Sequence, residues 1–344
     1  MTRPAPTPSP AAAADAARAT AATNPPASPD RPAVAAAQPD AAAAPAPDAA
    51  GTQRPMKHAP LAFAAEDGFP LGGTLFEGDG DGPLVLVSSA TAVPQAFYAG
   101  FARTLVEAGA RAVLTYDYRA TGASPRPQGW RQRINYKDWA LKDFPAALAA
   151  LEAAAPGHPV VGVGQSYGGH ALGLSGTSDR FLRYAMVASM TAYFGYLDDR
   201  QAWARMNLVG VPVSLFFRDT PRWLGIGEPI PGSCFRDWAR WCRMRNYFFD
   251  DPALPETARF AEVRLPILAI GLTDDRWATP RGVDDFMARH PNAAVEQRWL
   301  SPQDGGGAPI GHLGFFRSRF AQTLWPPLAD WLLEGEPMTL GQRR

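Results

Sequence analysis

The stretch Pro159-Val160-Val161-Gly162-Val163-Gly164-Gln165-Ser166-Tyr167-Gly168-Gly169 decides how the rest of the chain is read. Val160 to Val163 form a short, β-branched apolar run closed by glycine, which predicts a strand buried in a parallel sheet. Gly-x-Ser-x-Gly follows, and Gly169-His170-Ala171-Leu172-Gly173-Leu174 can begin a helix. A strand that breaks straight into a helix forces Ser166 into a strained backbone, with its side chain projecting from the turn. A Cβ at Gly164 or Gly168 would strike the neighbouring strand or helix. The helix start also aims free N–H groups, and the positive end of its dipole, at the seryl oxygen. That geometry suits a nucleophile whose intermediate carries an oxyanion. In a chain with 32 glycines the pattern alone could be an ordinary βα loop. The strand before it and the helix after it make it a nucleophile elbow.

Outward from this turn, strands and helices alternate. Leu61-Ala62-Phe63 and Leu71-Gly72-Gly73-Thr74-Leu75-Phe76 flank Glu66-Asp67-Gly68, which predicts an antiparallel hairpin. Leu84 to Val87 and Ala112 to Tyr116 predict two buried strands, joined by a helix from about Gln95 to Gly109. Apolar residues at Trp139, Leu141, Phe144, Leu148 and Leu151 predict a helix over about Asp138 to Ala154. Beyond the elbow, Tyr184 to Ala188, Pro266 to Gly271 and Val295 to Leu300 read as strands. A helix leads to about His290, and an amphipathic helix from about Arg317 to Leu333 closes the chain. The alternation predicts an α/β fold, a mostly parallel sheet covered by helices on both faces. Ligands in such sheets bind beyond the carboxyl ends of the strands, where Ser166 and the loop Ser88 to Thr91 both fall.

Two segments break the rhythm. Residues 1–55 are Ala, Pro, Asp and Thr, with no aromatic and almost no large aliphatic residue. They cannot bury enough apolar surface to offset their ordering entropy, which predicts a disordered tail. Residues 191–260 are crowded with aromatics and punctuated by Pro212, Pro221, Pro229, Pro231 and Gly232. They read as a lid inserted between a first core part, 56–190, and a second, 261–344. Its rings either wall the substrate or fill the lid's own core.

Composition narrows the function. The chain has 344 residues, is 46% hydrophobic and carries no formal net charge. With no sustained basic stretch, nucleic acid and anionic membranes are not expected partners. No apolar run reaches the ~18 residues of a membrane span. The N-terminus lacks the continuous apolar core of a secretory signal, so a cytoplasmic location is expected. The two cysteines, Cys234 and Cys242, read as reduced buried thiols rather than a disulfide or metal pair. No metal or cofactor is expected.

A serine needs a base within hydrogen-bond reach, and that base needs a carboxylate to fix its tautomer. Of the five histidines, His58 lies at the tail boundary and His158 at the far end of the elbow strand. His170 points along the elbow helix and His290 caps another helix. His312 sits in a glycine-rich loop after the last strand, free to swing over the sheet edge. Asp274 and Asp275 both follow the preceding strand. The oxyanion hole is expected from the N–H of Tyr167 and one N–H of the loop after Leu84 to Val87, with Ala90 first and Thr91 as alternative.

These residues resemble the α/β-hydrolase superfamily, and most closely a bacterial branch of predicted α/β hydrolases. The resemblance rests on Ser89-Ala90-Thr91, Asp117-Tyr118-Arg119 with Gly122 and Ser124, and Gly-Gln-Ser-Tyr-Gly-Gly at 164–169. Trp238-Ala239-Arg240-Trp241-Cys242-Arg243, Asp274-Asp275 and Gly311-His312-Leu313-Gly314-Phe315-Phe316 complete it, so that it spans about residues 60 to 335. It implies the α/β-hydrolase fold with a lid and the order Ser166, Asp, His312. In that superfamily the acid precedes a short apolar stretch and a proline-bearing helix start. Counting back from Val283 and Phe286 then favours Asp275, with Asp274 as a supporting or capping carboxylate. The chain departs from the family at Ser88-Ser89, where His-Gly is frequent, and at Ala92 and Ala120, where glycine is frequent. Gln165, where His is common, is read as neutral.

The expected activity is that of a serine hydrolase, a carboxylic-ester hydrolase forming an acyl-enzyme on Ser166. Its partner would be a small apolar ester or acyl substrate. Acyl transfer by the same residues, and a non-catalytic binding protein on the same fold, are the competing expectations.

Overall fold

The computed structural model describes residues 57–344, so the expected tail, 1–55, lies outside the described residues. One nine-stranded sheet organises them. Strands β1 (Lys57–Ala64) and β2 (Pro70–Glu77) form the expected hairpin. Strands β3 (Leu84–Ser88), β4 (Ala112–Tyr116) and β5 (Val160–Gln165) are buried at every position, as their unbroken apolar runs require. Strands β6 (Phe181–Val187), β7 (Pro266–Leu272) and β8 (Ala294–Leu300) continue the parallel block. The order is β1-β2-β4-β3-β5-β6-β7-β8-β9. The last strand, β9 (Gln342–Arg343), adds antiparallel to the β8 edge and was not foreseen.

Helices α1 (Ala99–Glu107) and α9 (Trp325–Leu333) pack together against the sheet, and α2 (Phe144–Ala154) packs with α3 (Tyr167–Ser175). Both faces of the sheet are therefore covered, which buries the apolar strands on each side. The expected helix over 138–154 begins instead as a wide π turn, Trp139–Asp143. The cause is Pro145, which has no N–H to give to the preceding turn and whose ring crowds it. The closing helix is shorter than expected. A 3-10 turn, Ser318–Phe320, comes first, and α9 starts only at Trp325, where Pro326 and Pro327 supply the fixed φ of a helix start.

Between β6 and β7 lies a helical insertion. It contains α4 (Ala202–Ala204), a π turn (Arg205–Gly210), α5 (Val211–Phe216) and α6 (Gly232–Arg243). Pro212 widens the turn before α5 as Pro145 does before α2. The rings of the insertion divide by position. Phe235, Trp241, Tyr247 and Phe248 are fully buried and form its core. Trp203, Phe216, Phe217 and Trp223 are exposed, Phe216 to 86%, so they fill no core. Trp238 packs at 5.6 Å on Trp277, in the loop after β7. Helix α7 (Pro280–Met287) and the short α8 (Gly311–Gly314) belong to the second core part. Cys234 and Cys242 are buried free thiols. Among the described residues no helix is long and apolar enough to cross a membrane.

Candidate active site

The turn between β5 and α3 is tight because it has no room to be otherwise. A Cβ at Gly164 would overlap the Gly168 carbonyl, and one at Gly168 would overlap the Ser88 carbonyl of β3. Ser166 therefore takes φ 50° and ψ −108°, a conformation that L-residues adopt only under constraint. Three bonds hold it there: Ser166 N–H donates to the Val187 carbonyl at 2.8 Å, and the Ser166 carbonyl accepts from the Ser189 hydroxyl at 2.9 Å and the Gly169 N–H at 3.1 Å.

His312 comes from α8, 146 residues later, and its Nε2 lies 3.1 Å from Ser166 Oγ. Its Nδ1 lies 2.7 Å from Asp275 Oδ2. Asp275 is buried, and its other oxygen, Oδ1, accepts the N–H of Trp277 at 2.7 Å and of Ala278 at 3.0 Å. The carboxylate is thus fixed from one side and faces the imidazole on the other. Asp274 has a different task. Its two oxygens accept the N–H groups of Ile310 and Gly311, at 2.8 and 2.9 Å, and so anchor the backbone just before His312. The remaining histidines are engaged elsewhere. His170 Nε2–H donates to the Met190 carbonyl at 2.9 Å within an aromatic cage, and His290 Nδ1–H donates to the Phe286 carbonyl. His158 bonds the Gly82 carbonyl, and His58 stacks on Phe76.

The loop after β3 corrects one expectation. The Ala90 N–H donates to the Tyr98 hydroxyl at 2.9 Å, so it is not available to a substrate. The Thr91 N–H bonds no other described residue, and neither does the Tyr167 N–H, the first of α3. Tyr136 ties the two residues together. Its hydroxyl bonds Thr91 Oγ1, its ring stacks on Tyr167 at 4.3 Å, and its carbonyl accepts the Tyr167 hydroxyl at 2.7 Å. The glycine-like positions keep their glycine conformation without glycine. Ala92 and Ala120 both hold φ 60°, in the left-handed region. Ser88 and Ser89, standing where His-Gly is frequent, bond the Tyr116 hydroxyl and carbonyl.

Trp277 lies beside the imidazole, its ring centre 6.4 Å from that of His312, and Trp238 packs on Trp277 at 5.6 Å. The loop before α6 reaches the other side, where Glu228 N–H donates to the Ala92 carbonyl at 2.8 Å. Trp277 supplies apolar surface beside the imidazole, and the amides of Thr91 and Tyr167 have no partner among the described residues. This arrangement can activate a hydroxyl, receive an apolar group and meet a developing negative charge.

Comparison with known proteins gives a consistent fold. No curated protein matches the sequence. Among solved structures, an esterase from Pyrococcus furiosus is similar at 18% identity and TM-score 0.53, covering 83% of this chain and 96% of that one. A peroxisomal α/β-hydrolase from Saccharomyces cerevisiae is similar at 13% identity and TM-score 0.52, covering 83% and 92%. A lipase in its open form is similar at 14% identity and TM-score 0.55, covering 80% and 98%. At such identities the likeness is one of fold. The model of the Alpha/beta hydrolase family matches residues 84–330, most of the chain, from β3 into α9. The chain belongs to the α/β hydrolase family.

Proposed function

We propose that this protein is a serine-dependent carboxylic-ester hydrolase that works through an acyl-enzyme on Ser166. The observation that carries the reading is the unbroken contact from Ser166 Oγ to His312 Nε2 and from His312 Nδ1 to Asp275. Asp275 holds the proton on Nδ1, which leaves the Nε2 lone pair facing the hydroxyl. His312 takes the Ser166 proton as Oγ attacks the acyl carbon. The oxyanion that forms meets the N–H groups of Tyr167 and Thr91. As the intermediate collapses, the leaving alkoxide takes the proton from His312. Water then repeats the sequence on the acyl-enzyme, and the acid and free Ser166 are released. The insertion acts as a lid, with Trp238 beside Trp277 forming an apolar wall for the acyl or alcohol group.

Turnover of short p-nitrophenyl esters tests this reading. Ser166→Ala should lose at least about 10³-fold in kcat while remaining folded. Ester hydrolysis that survives the substitution would rule the reading out. The same assay with added alcohols separates hydrolysis from acyl transfer, because transfer would yield a new ester in place of the acid.

A further inference from the structure

The residue before the nucleophile reads as neutral from sequence, yet it is the centre of a buried hydrogen-bond chain. Ala90 N–H donates to Tyr98 Oη at 2.9 Å. Tyr98 Oη–H donates to Gln165 Oε1 at 2.7 Å. Gln165 Nε2–H donates to the His312 carbonyl at 3.0 Å. The chain joins three segments that meet only in the folded protein: the loop after β3, the last residue of β5, and the loop bearing His312. Tyr98 and Gln165 are both essentially inaccessible to water, which leaves these groups no alternative partners.

The chain admits one arrangement of protons. The Ala90 amide can only donate and the His312 carbonyl can only accept. The Tyr98 hydroxyl receives from Ala90, so its single proton goes to Gln165. The amide must then turn its oxygen toward Tyr98 and its nitrogen toward His312. Burial pushes the Tyr98 hydroxyl well above its ordinary range, so its proton stays. A residue at 165 must therefore accept on one side and donate on the other. Glu presents only acceptors in its ionised form, and Leu presents neither.

We propose that Gln165 and Tyr98 are positioning residues of the ester-hydrolysing site. Their chain fixes the loop of the second oxyanion donor and the backbone of the base to one another, across the nucleophile. Holding the Ala90 amide on Tyr98 sets the loop's direction and leaves the next amide, that of Thr91, open toward the turn. Holding the His312 carbonyl fixes the backbone of the base, together with Asp274, which grips the preceding two amides. Neither residue touches the substrate. Both act by keeping donor and base in register, the condition under which small displacements cost the most.

The inference rests on the proposed roles of Ser166 and His312, and its test keeps the two apart. Gln165→Leu, Gln165→Glu and Tyr98→Phe would be assayed as the full chain with p-nitrophenyl esters. Turnover would be expressed per site labelled to completion by a fluorophosphonate, so that unfolded protein does not count. Each variant should lose on the order of 10- to 100-fold in kcat, with KM within about 2-fold of the parent. The double variant Tyr98→Phe with Gln165→Leu should lose no more than the worse single one, because both break one chain. Tyr98→Phe keeps the ring contacts with Phe97 and Phe316 and serves where Gln165 variants fold poorly. Parent-like kcat per site in Gln165→Leu or Tyr98→Phe would overturn the inference, as would full additivity in the double variant. An active Ser166→Ala enzyme would instead overturn the underlying reading.

Discussion

Replacing Asp275 by Asn changes one atom and should silence the site through the tautomer of His312. The Asp275 oxygen away from the histidine accepts two backbone N–H groups, from Trp277 at 2.7 Å and Ala278 at 3.0 Å. An Asn at 275 must keep its oxygen there, since turning the amide would set its NH2 against two donors. Its NH2 then faces His312 Nδ1, now 2.7 Å from the carboxylate. To receive that donor, Nδ1 must give up its proton, which moves to Nε2. Nε2 then points an N–H at Ser166 and can no longer take the hydroxyl proton. Loss of the base tautomer together with the buried charge should cost on the order of 10⁴-fold in kcat, about 5 kcal/mol. Asp274→Asn should behave differently. An amide oxygen still accepts one of the Ile310 and Gly311 amides, so the loss is one charge-assisted bond, about 1.5–3 kcal/mol of local order. Its kcat should stay within about 10-fold of the parent. The assay is steady-state hydrolysis of p-nitrophenyl esters at pH 7 to 8, with thermal melts to show both variants folded. If Asp275→Asn keeps most of its turnover while Asp274→Asn loses it, the tautomer argument and the assignment of the acid are both refuted.

Three further outcomes follow from the same geometry. Gly164→Ala should give a protein without activity, destabilised by roughly 3 kcal/mol or more, because the new Cβ overlaps the Gly168 carbonyl; a parent-like melting temperature would contradict this. Tyr136→Phe removes the bond to Thr91 but keeps the stack on Tyr167, so kcat should fall about 10-fold with KM little changed; an unchanged kcat would show that the brace is not needed. Burial lowers the pKa of His170 from 6.5 to about 3 and of His290 to about 4, so both are neutral in the fold and charged when unfolded below pH 6.5. The unfolded chain then binds more protons. The stability these neutral rings contribute is therefore complete above pH 6.5 and is lost on acidification. Between pH 6.5 and 5 the loss should be roughly 3 kcal/mol for the pair, read by urea melts at the two pH values. Replacing both histidines with Gln should flatten that slope, and a slope that persists would assign it to other groups.

How far the sequence carries depends on whether a feature is local. The elbow was legible because a β-branched run, two glycines and a helix start lie side by side. His312 was legible by elimination, since each other histidine sat in a place with a structural use. The choice between Ala90 and Thr91 was not legible, because a backbone N–H leaves no mark and its competitor is the hydroxyl of Tyr98, from the next helix. The hydrogen bonds of Gln165 were not legible for the same reason. Its partners lie 67 and 147 residues away, and nothing near it reveals them. The π turns before α2 and α5 had a local sign in Pro145 and Pro212, which a periodicity of apolar residues does not register. Of the insertion, the sequence showed its aromatic wealth but not its division into buried rings, such as Phe235 and Trp241, and exposed ones, such as Phe216 and Trp223.

The central claim is that Ser166 is an activated nucleophile. Treatment of the folded protein with a fluorophosphonate probe, followed by a mass-spectrometric peptide map, tests it most directly. The account predicts one label per chain on the hydroxyl of Ser166, with none in Ser166→Ala and labelling slowed by orders of magnitude in His312→Ala. A label on another residue, or undiminished labelling of Ser166→Ala, would contradict it.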